Sequence, residues 1–229
     1  MNMANRRSVL LGLAAATATP TWARPSQQVW KFNSLRMVGK HPLRIDGAPQ
    51  LIKGFHGKAV QFDGQHDVLF IDQHPLADAK SFTAELIFRP DGGTFEQRLL
   101  HLESDETPPV APGKGSTRML FEIRVVEQSW YLDAFMVGAG YRVTMMAPDK
   151  LFPVGRWYHA AKTYDGRFFR SYVNGELQME VVTPFTPQTA GRASVGARMN
   201  GVTHFHGAIE EARFTREALL PDAFSRVRR

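Results

Sequence analysis

The feature that most constrains this chain is a polar–apolar alternation of period two, repeated in short pieces from about residue 28 onward. Successive side chains of an extended strand point to opposite faces, so such alternation reads as half-buried β-structure rather than helix. It predicts strands over 29–32, 58–62, 67–71, 82–89, 97–102, 118–126, 129–137 and 141–145. Further strands are predicted over 156–164, 168–173, 177–182, 193–197 and 205–214. The joints carry turn chemistry: Asp63-Gly64, Asp91-Gly92-Gly93, Asp165-Gly166 and Asn174-Gly175 all tolerate positive φ. Two of these bracket one short strand, so 156–182 reads as a three-stranded antiparallel meander. The only helical pattern, 217–224, contains Pro221 and predicts a turn or two packed on the sheets. The longest irregular stretch, 103–117, is rich in proline and glycine and is read as a loop.

Composition narrows the class further. With 229 residues, 43% hydrophobic and 22% charged, the chain can bury one ordinary core and is not a disordered polymer. It has no cysteine, which excludes disulfide frameworks, thiolate zinc sites and cysteine nucleophiles. The first residues read as an address. Arg6 and Arg7 precede the apolar run 9–16, and small residues with Thr21-Trp22-Ala23 follow. Residues 1–23 are therefore expected to be a twin-arginine-like signal peptide, with 24–229 as one domain in the periplasm or outside the cell. Subtracting the two arginines from the formal +6 leaves about +4, a mild excess that favours acidic glycans and anionic surfaces. No basic helix, aromatic ribonucleoprotein motif or long Lys/Arg run points to nucleic acid. The basic end at Arg226, Arg228 and Arg229 reads as a solvated tail. No later segment reaches the roughly 20 apolar residues that a membrane-spanning helix needs, so membrane insertion is not expected.

Three ordered blocks carry a family resemblance. The first is Gly57-Lys58-Ala59-Val60-Gln61-Phe62-Asp63-Gly64 followed by Asp67, and the second is Ser81-Phe82-Thr83-Ala84-Glu85-Leu86-Ile87-Phe88-Arg89-Pro90. The third runs from Gly155-Arg156-Trp157-Tyr158-His159 through Tyr164-Asp165-Gly166 and Tyr172-Val173-Asn174-Gly175 to Phe205-His206-Gly207-Ala208-Ile209-Glu210-Glu211. Together they resemble the laminin-G-like jelly-roll domains of the concanavalin A-like lectin/glucanase superfamily. The resemblance implies an all-β sandwich of two curved antiparallel sheets; independently of it, Trp157, Tyr164, Tyr172 and Phe214 are strand aromatics suited to filling such a core. The resemblance also implies a structural calcium at the sandwich rim, where Asp63 and Glu210 would contribute, although Glu210 stands where the family usually has Asp.

Fold does not give function, which resides in particular sites. Jelly-roll glucanases need closely spaced carboxylates on one strand, as in Glu-x-Asp-x-Glu. The nearest string, Glu103-Ser104-Asp105-Glu106-Thr107, departs from that pattern and runs into Pro108-Pro109. Alternation instead puts Glu122 and Arg124 on the polar side of one strand and Tyr131 and Asp133 on that of the next. His101 and His159 interrupt two other apolar strands. If these strands are neighbours, His101, Glu122, Arg124, Tyr131, Asp133 and His159 line one groove suited to a sugar; the plain alternative is a solvated sheet face. The expected role is an exported carbohydrate-binding, lectin-like module for an extracellular or envelope polysaccharide or glycoconjugate. Two alternatives are a glycan-cleaving hydrolase or lyase on the same fold and a protein–protein interaction module.

Overall fold

The computed structural model describes residues 27–105, 117–225 and 227. The expected leader at 1–23, positions 106–116 of the proline-rich stretch (Glu106 and Thr107 included) and Arg226, Arg228 and Arg229 lie outside the described residues. In chain order the strands are β1 (Gln27–Lys31), β2 (Met37–Val38), β3 (His41–Pro42), β4 (Arg44–Asp46), β5 (Gln50–Lys53) and β6 (Lys58–Asp63). Next come β7 (Val68–Ile71), β8 (Phe82–Pro90), β9 (Glu96–Ser104), β10 (Arg118–Val126), β11 (Ser129–Gly138) and β12 (Tyr141–Met146). The last are β13 (Phe152–Pro153), β14 (Tyr158–Tyr164), β15 (Phe168–Val173), β16 (Glu176–Val182), β17 (Gly191–Val195) and β18 (His206–Thr215). The helical pattern near the end shrinks to one 3-10 turn, Pro221–Ala223.

Two antiparallel sheets form the sandwich. The first has the order β16-β15-β14-β8-β18-β6-β5, with β1 also on β18; the second has the order β12-β11-β10-β9-β17-β7-β4, with β13 beside β11. The expected meander is β14-β15-β16. Its last hairpin turns on Asn174 and Gly175, at φ of 51° and 85°, the left-handed pair that matches strand twist. The sheets meet through interleaved apolar side chains from their inner faces. Phe88 of the first sheet packs edge-on against Trp130 of the second at 5.2 Å, and Trp130 meets Tyr158 at 5.0 Å.

The structure corrects the expected core in one strand. Tyr158, Ala160 and Tyr164 of β14 are core residues, so Trp157 falls on the opposite parity and is only half-buried, under the Arg89 guanidinium at 5.5 Å. A one-residue difference in register exchanges every side chain between faces. Tyr164 and Phe214 fill the core as expected, whereas Tyr172 is buried with Ala161 and Phe224 in a separate cluster. The same parity sends Lys162 inward, where it is fully buried in the sandwich.

Candidate functional site

The outer face of the second sheet follows from its inner one. In β10, Met119, Phe121, Ile123 and Val125 belong to the core; in β11, Trp130, Leu132, Ala134 and Met136 do. Arg118, Leu120, Glu122 and Arg124 therefore project outward, next to Tyr131, Asp133 and Phe135. On β9 the ladder slips between Phe121 and Glu122, so that Leu100 and Arg98 oppose them and Leu99 is the extra residue. This bulge moves Arg98 onto the outer face beside Glu122, while His101 keeps its outward position opposite Leu120. The result is a groove of about 240 Å³ across β9 to β12, lined by Arg98, Glu122, Arg124, Asp133 and Phe135, with Arg118 and Arg142 toward one end.

Of the six predicted groove residues, Glu122, Arg124 and Asp133 line it, and Tyr131 lies beside Arg124 on the same face without lining it. His101 lies on the same face but beneath it, almost fully buried. Its Nδ1 accepts the Met199 N–H at 2.9 Å, so the imidazole anchors the loop after β17. Burial, followed by repulsion from Arg118 and Arg198, pulls its pKa down to about 3, which keeps it neutral and acceptor-competent. His159 is not in the groove. It sits on the outer face of the first sheet, with Nε2 3.0 Å from the Glu85 carboxylate, under the Phe224 ring.

The groove's electrostatics centre on a cross-strand carboxylate pair. Glu122 and Asp133 oppose each other in the β10–β11 ladder, and both are withdrawn from solvent. Each has its own guanidinium: Arg98 contacts Glu122, and Arg124 lies 2.6 Å from Asp133. Arg124 also contacts Glu96 at the mouth, where Arg98 reaches the same carboxylate at 3.2 Å. From behind, Lys162 crosses the core, donates to the Leu120 carbonyl and sits 4.2 Å from the centre of the Phe121 ring. Burial, and after it the charge of Asp133, push the Glu122 carboxyl up to about 7 against the pull of Arg98. Burial likewise pulls the Lys162 ammonium down to about 7.

Sequence reasoning missed Arg98, Phe135, Arg142, Thr144 and Arg198, which all line this groove. Phe135 and Arg142 were available from the same parity that gave Asp133, by extending it one more step and one more strand. Arg98 was concealed by the bulge at Leu99, and Arg198 arrives from a loop, where no period applies. Phe95, 57% exposed just before β9 with the Arg124 guanidinium 5.6 Å from its ring, was missed too.

Asp63 and Glu210 do not converge. Asp63 pairs with His206 and Glu210 follows Ile209 on β18, so the two lie roughly 13 Å apart along the strand. The Asp63 carboxylate accepts the N–H groups of Gln65 and His66 at 2.8 Å and of Asp67 at 3.1 Å. Burial opposes ionisation of Asp63, but these amides outweigh it and hold the carboxyl well below its usual range. Glu210 accepts the N–H groups of Phe55 and His56, closing the turn before β6. Among the described residues, no group of three or more His, Cys, Asp or Glu is gathered as a metal site. No helix among them is long and apolar enough to cross a membrane.

The model of the Laminin_G_3 family, described as the concanavalin A-like lectin/glucanases superfamily, matches residues 63–223. Among solved structures, domain 4 of the GH43 extracellular arabinanase AbnA from Geobacillus stearothermophilus, in complex with arabinotriose, is 20% identical at TM-score 0.60, covering 85% of this chain and 93% of that one. A botulinum neurotoxin type C, described as dependent for cell entry on two ganglioside molecules, is 10% identical at TM-score 0.56, over 86% of this chain and 49% of that one. A Trypanosoma rangeli sialidase in complex with 2,3-difluorosialic acid is 13% identical at TM-score 0.57, over 84% of this chain and 31% of that one. This chain thus spans nearly all of the arabinanase domain but half or less of the other two. At these identities the likenesses establish the fold alone. No curated protein sequence matches the chain.

Proposed function

The chain belongs to the concanavalin A-like lectin/glucanases superfamily, and from that premise we propose that it is a carbohydrate-binding module whose site is the groove across β9 to β12. The observation that carries this reading is the groove itself, a concave strip of fixed guanidiniums and carboxylates around the Phe135 ring. Sugars are bound by hydrogen-bonding side chains that are already oriented and by apolar ring faces. Here Arg98 and Arg124 are oriented by Glu122, Asp133 and Glu96, so little side-chain freedom remains to be lost on binding. The arginine pair and apolar run near the start of the chain support export to the periplasm or exterior. The structural neighbours described with arabinotriose and gangliosides support a glycoconjugate partner.

The test is retention on immobilised polysaccharides, followed by titration calorimetry with oligosaccharides of whichever polymer is retained. Binding that weakens about tenfold or more in Arg124→Met is the expected result, since a charged hydrogen-bonding partner is lost. Unchanged binding in that variant would move the site elsewhere.

One observation favours a second reading, glycan cleavage. Glu122 and Asp133 are adjacent carboxylates with one pushed up to about 7, the pattern of an acid that keeps its proton near neutral pH. Against it, both are buried and held by guanidiniums. Release of reducing ends or unsaturated uronates that disappears in Glu122→Gln would establish cleavage and displace the binding-only reading.

A further inference from the structure

The groove is not symmetrical in charge. Toward β12 and the loop after β17, three guanidiniums come together around one aromatic ring. Arg118 lies 5.0 Å and Arg142 5.6 Å from the centre of the Phe135 ring, while Arg198 enters from the loop. Neither Arg142 nor Arg198 has a carboxylate at ion-pair distance among the described residues. By contrast, Arg98 and Arg124, at the other end, are bound to Glu96, Glu122 and Asp133. Arg142 is exposed and Arg198 half-buried. Burial and the neighbouring Arg198 and Arg142 charges lower the pKa of the Arg118 guanidinium on balance, against the pull of Glu103 and Glu122, and an anion entering among the three relieves that repulsion.

The loop that carries Arg198 is held for this task. The Met199 N–H is bound by the buried His101, and the Arg198 N–H donates to the Val202 carbonyl at 3.0 Å, closing a tight turn. Arg198 therefore presents its side chain from a fixed backbone rather than a loose end. Thr144 and Leu120 complete the lining, one a hydroxyl and the other an apolar contact.

We infer that the Arg118–Arg142–Arg198 end of the groove, built over Phe135, is an anion subsite that selects acidic glycans: sugars carrying a carboxylate or sulfate on the ring. This deepens the carbohydrate-binding reading and rests on it. The shared chemistry is a planar or tetrahedral oxyanion held by guanidinium forks, two of which lie on the buried Phe135 ring. His101 and Phe135 act as positioning residues, the first for the loop and the second as the surface on which Arg118 and Arg142 lie.

Affinity electrophoresis separates the possibilities with matched polymers. Polygalacturonate is compared with its carboxyl-reduced neutral counterpart, dextran sulfate with dextran, and duplex DNA serves as a polyanion without sugar acids. The expected result is preferential retardation by polygalacturonate, dextran sulfate or both over the neutral partner, the two acidic arms distinguishing a carboxylate from a sulfate site. In Arg142→Gln and Arg198→Gln, the acidic-to-neutral preference falls about tenfold for each, with thermal melting unchanged within a degree or so as the control for folding. Equal retardation by acidic and neutral polymers overturns the anion subsite and leaves the glycan-binding reading standing. No retardation by any polysaccharide overturns both. Equal binding of DNA, lost in the same variants, overturns the selection of sugars and marks a general polyanion surface.

Discussion

Replacing Lys162 by Met tests how the charge at the centre of the sandwich is tolerated. The ammonium is fully buried, donates to the Leu120 carbonyl, lies against the Phe121 ring and faces Glu122 and Asp133 through the sheet. A lysine pulled from 10.5 to about 7 holds its proton below neutral pH at a cost of roughly 5 kcal/mol relative to an exposed lysine. Methionine keeps the length of the chain and the contact with the ring while removing the charge. The carboxylates do not become orphans, because Arg98 and Arg124 remain and Glu122 takes up a proton readily. Part of the gain is returned through the weaker support of Glu122, which leaves an expected stabilisation of about 2–3 kcal/mol at pH 6.

The sign of the pH dependence is fixed by the direction of the shift. The folded-state pKa of Lys162 lies below its unfolded value, so between about 7 and 10.5 the unfolded chain binds more protons and wild-type stability rises with pH. The advantage of Lys162→Met should thus be largest at pH 6 and fade toward pH 10. Urea denaturation followed by fluorescence of the buried Trp30 and Trp130 measures it at several pH values. A variant less stable than wild type at pH 6, or a difference that does not change with pH, would refute the reasoning and make the lysine a required counter-ion.

Three further outcomes follow from the same geometry. Arg124→Met leaves Asp133, which has no solvent exposure, without its guanidinium, and should cost about 3 kcal/mol in urea denaturation at pH 7. Glu85→Gln should loosen the segment around Ser225, whose N–H donates to Glu85 Oε1 at 2.6 Å, and proteolysis after residue 216 should quicken. Burial raises the Glu85 carboxyl, but His159 and Ser225 outweigh it and hold it below the usual range; its contribution is therefore present above about pH 4.5 and lost as pH falls, and melting of Glu85→Gln should be less acid-sensitive than wild type. Phe95→Ala touches an exposed ring and should leave stability within about 0.5 kcal/mol, while weakening binding of an oligosaccharide long enough to pass the Arg124 end of the groove.

Alternation and turn residues made most of the sandwich legible, because each long strand turns an apolar face to the core and sets a more polar one outward, even where that outer face is itself buried. The strands between residues 37 and 53 were not legible: β2 to β5 are only two to four residues long, too short to show a period, and lie at sheet edges or in a two-stranded ribbon, with Pro42 among them. The slip at Trp157 arose because two adjacent aromatics offer two registers, and only packing against Phe88 and Trp130 decides that Tyr158 is the inner one. For the groove, parity placed Glu122, Arg124, Tyr131 and Asp133 on one face. Parity says which side of a strand a residue takes but not which sheet the strand joins, and that is how His159 was placed with them. Lys162 stood in an apolar alternation as the one cation, a signal that was available from the strand pattern.

The places of Gln27 and Ser225 about the two sheets have a consequence for how the domain would be presented. Gln27 pairs with Thr215 in the first sheet, and Ser225 is fastened to that sheet's outer face through Glu85. The groove opens on the outer face of the second. Anything joined before residue 27 or after residue 225 would thus meet the sandwich on its first-sheet side. The domain would stand off from such a support like a palm held outward, its arginines directed away from the point of attachment. A display tag or surface linkage at either end is accordingly expected to leave the groove free to meet a polymer.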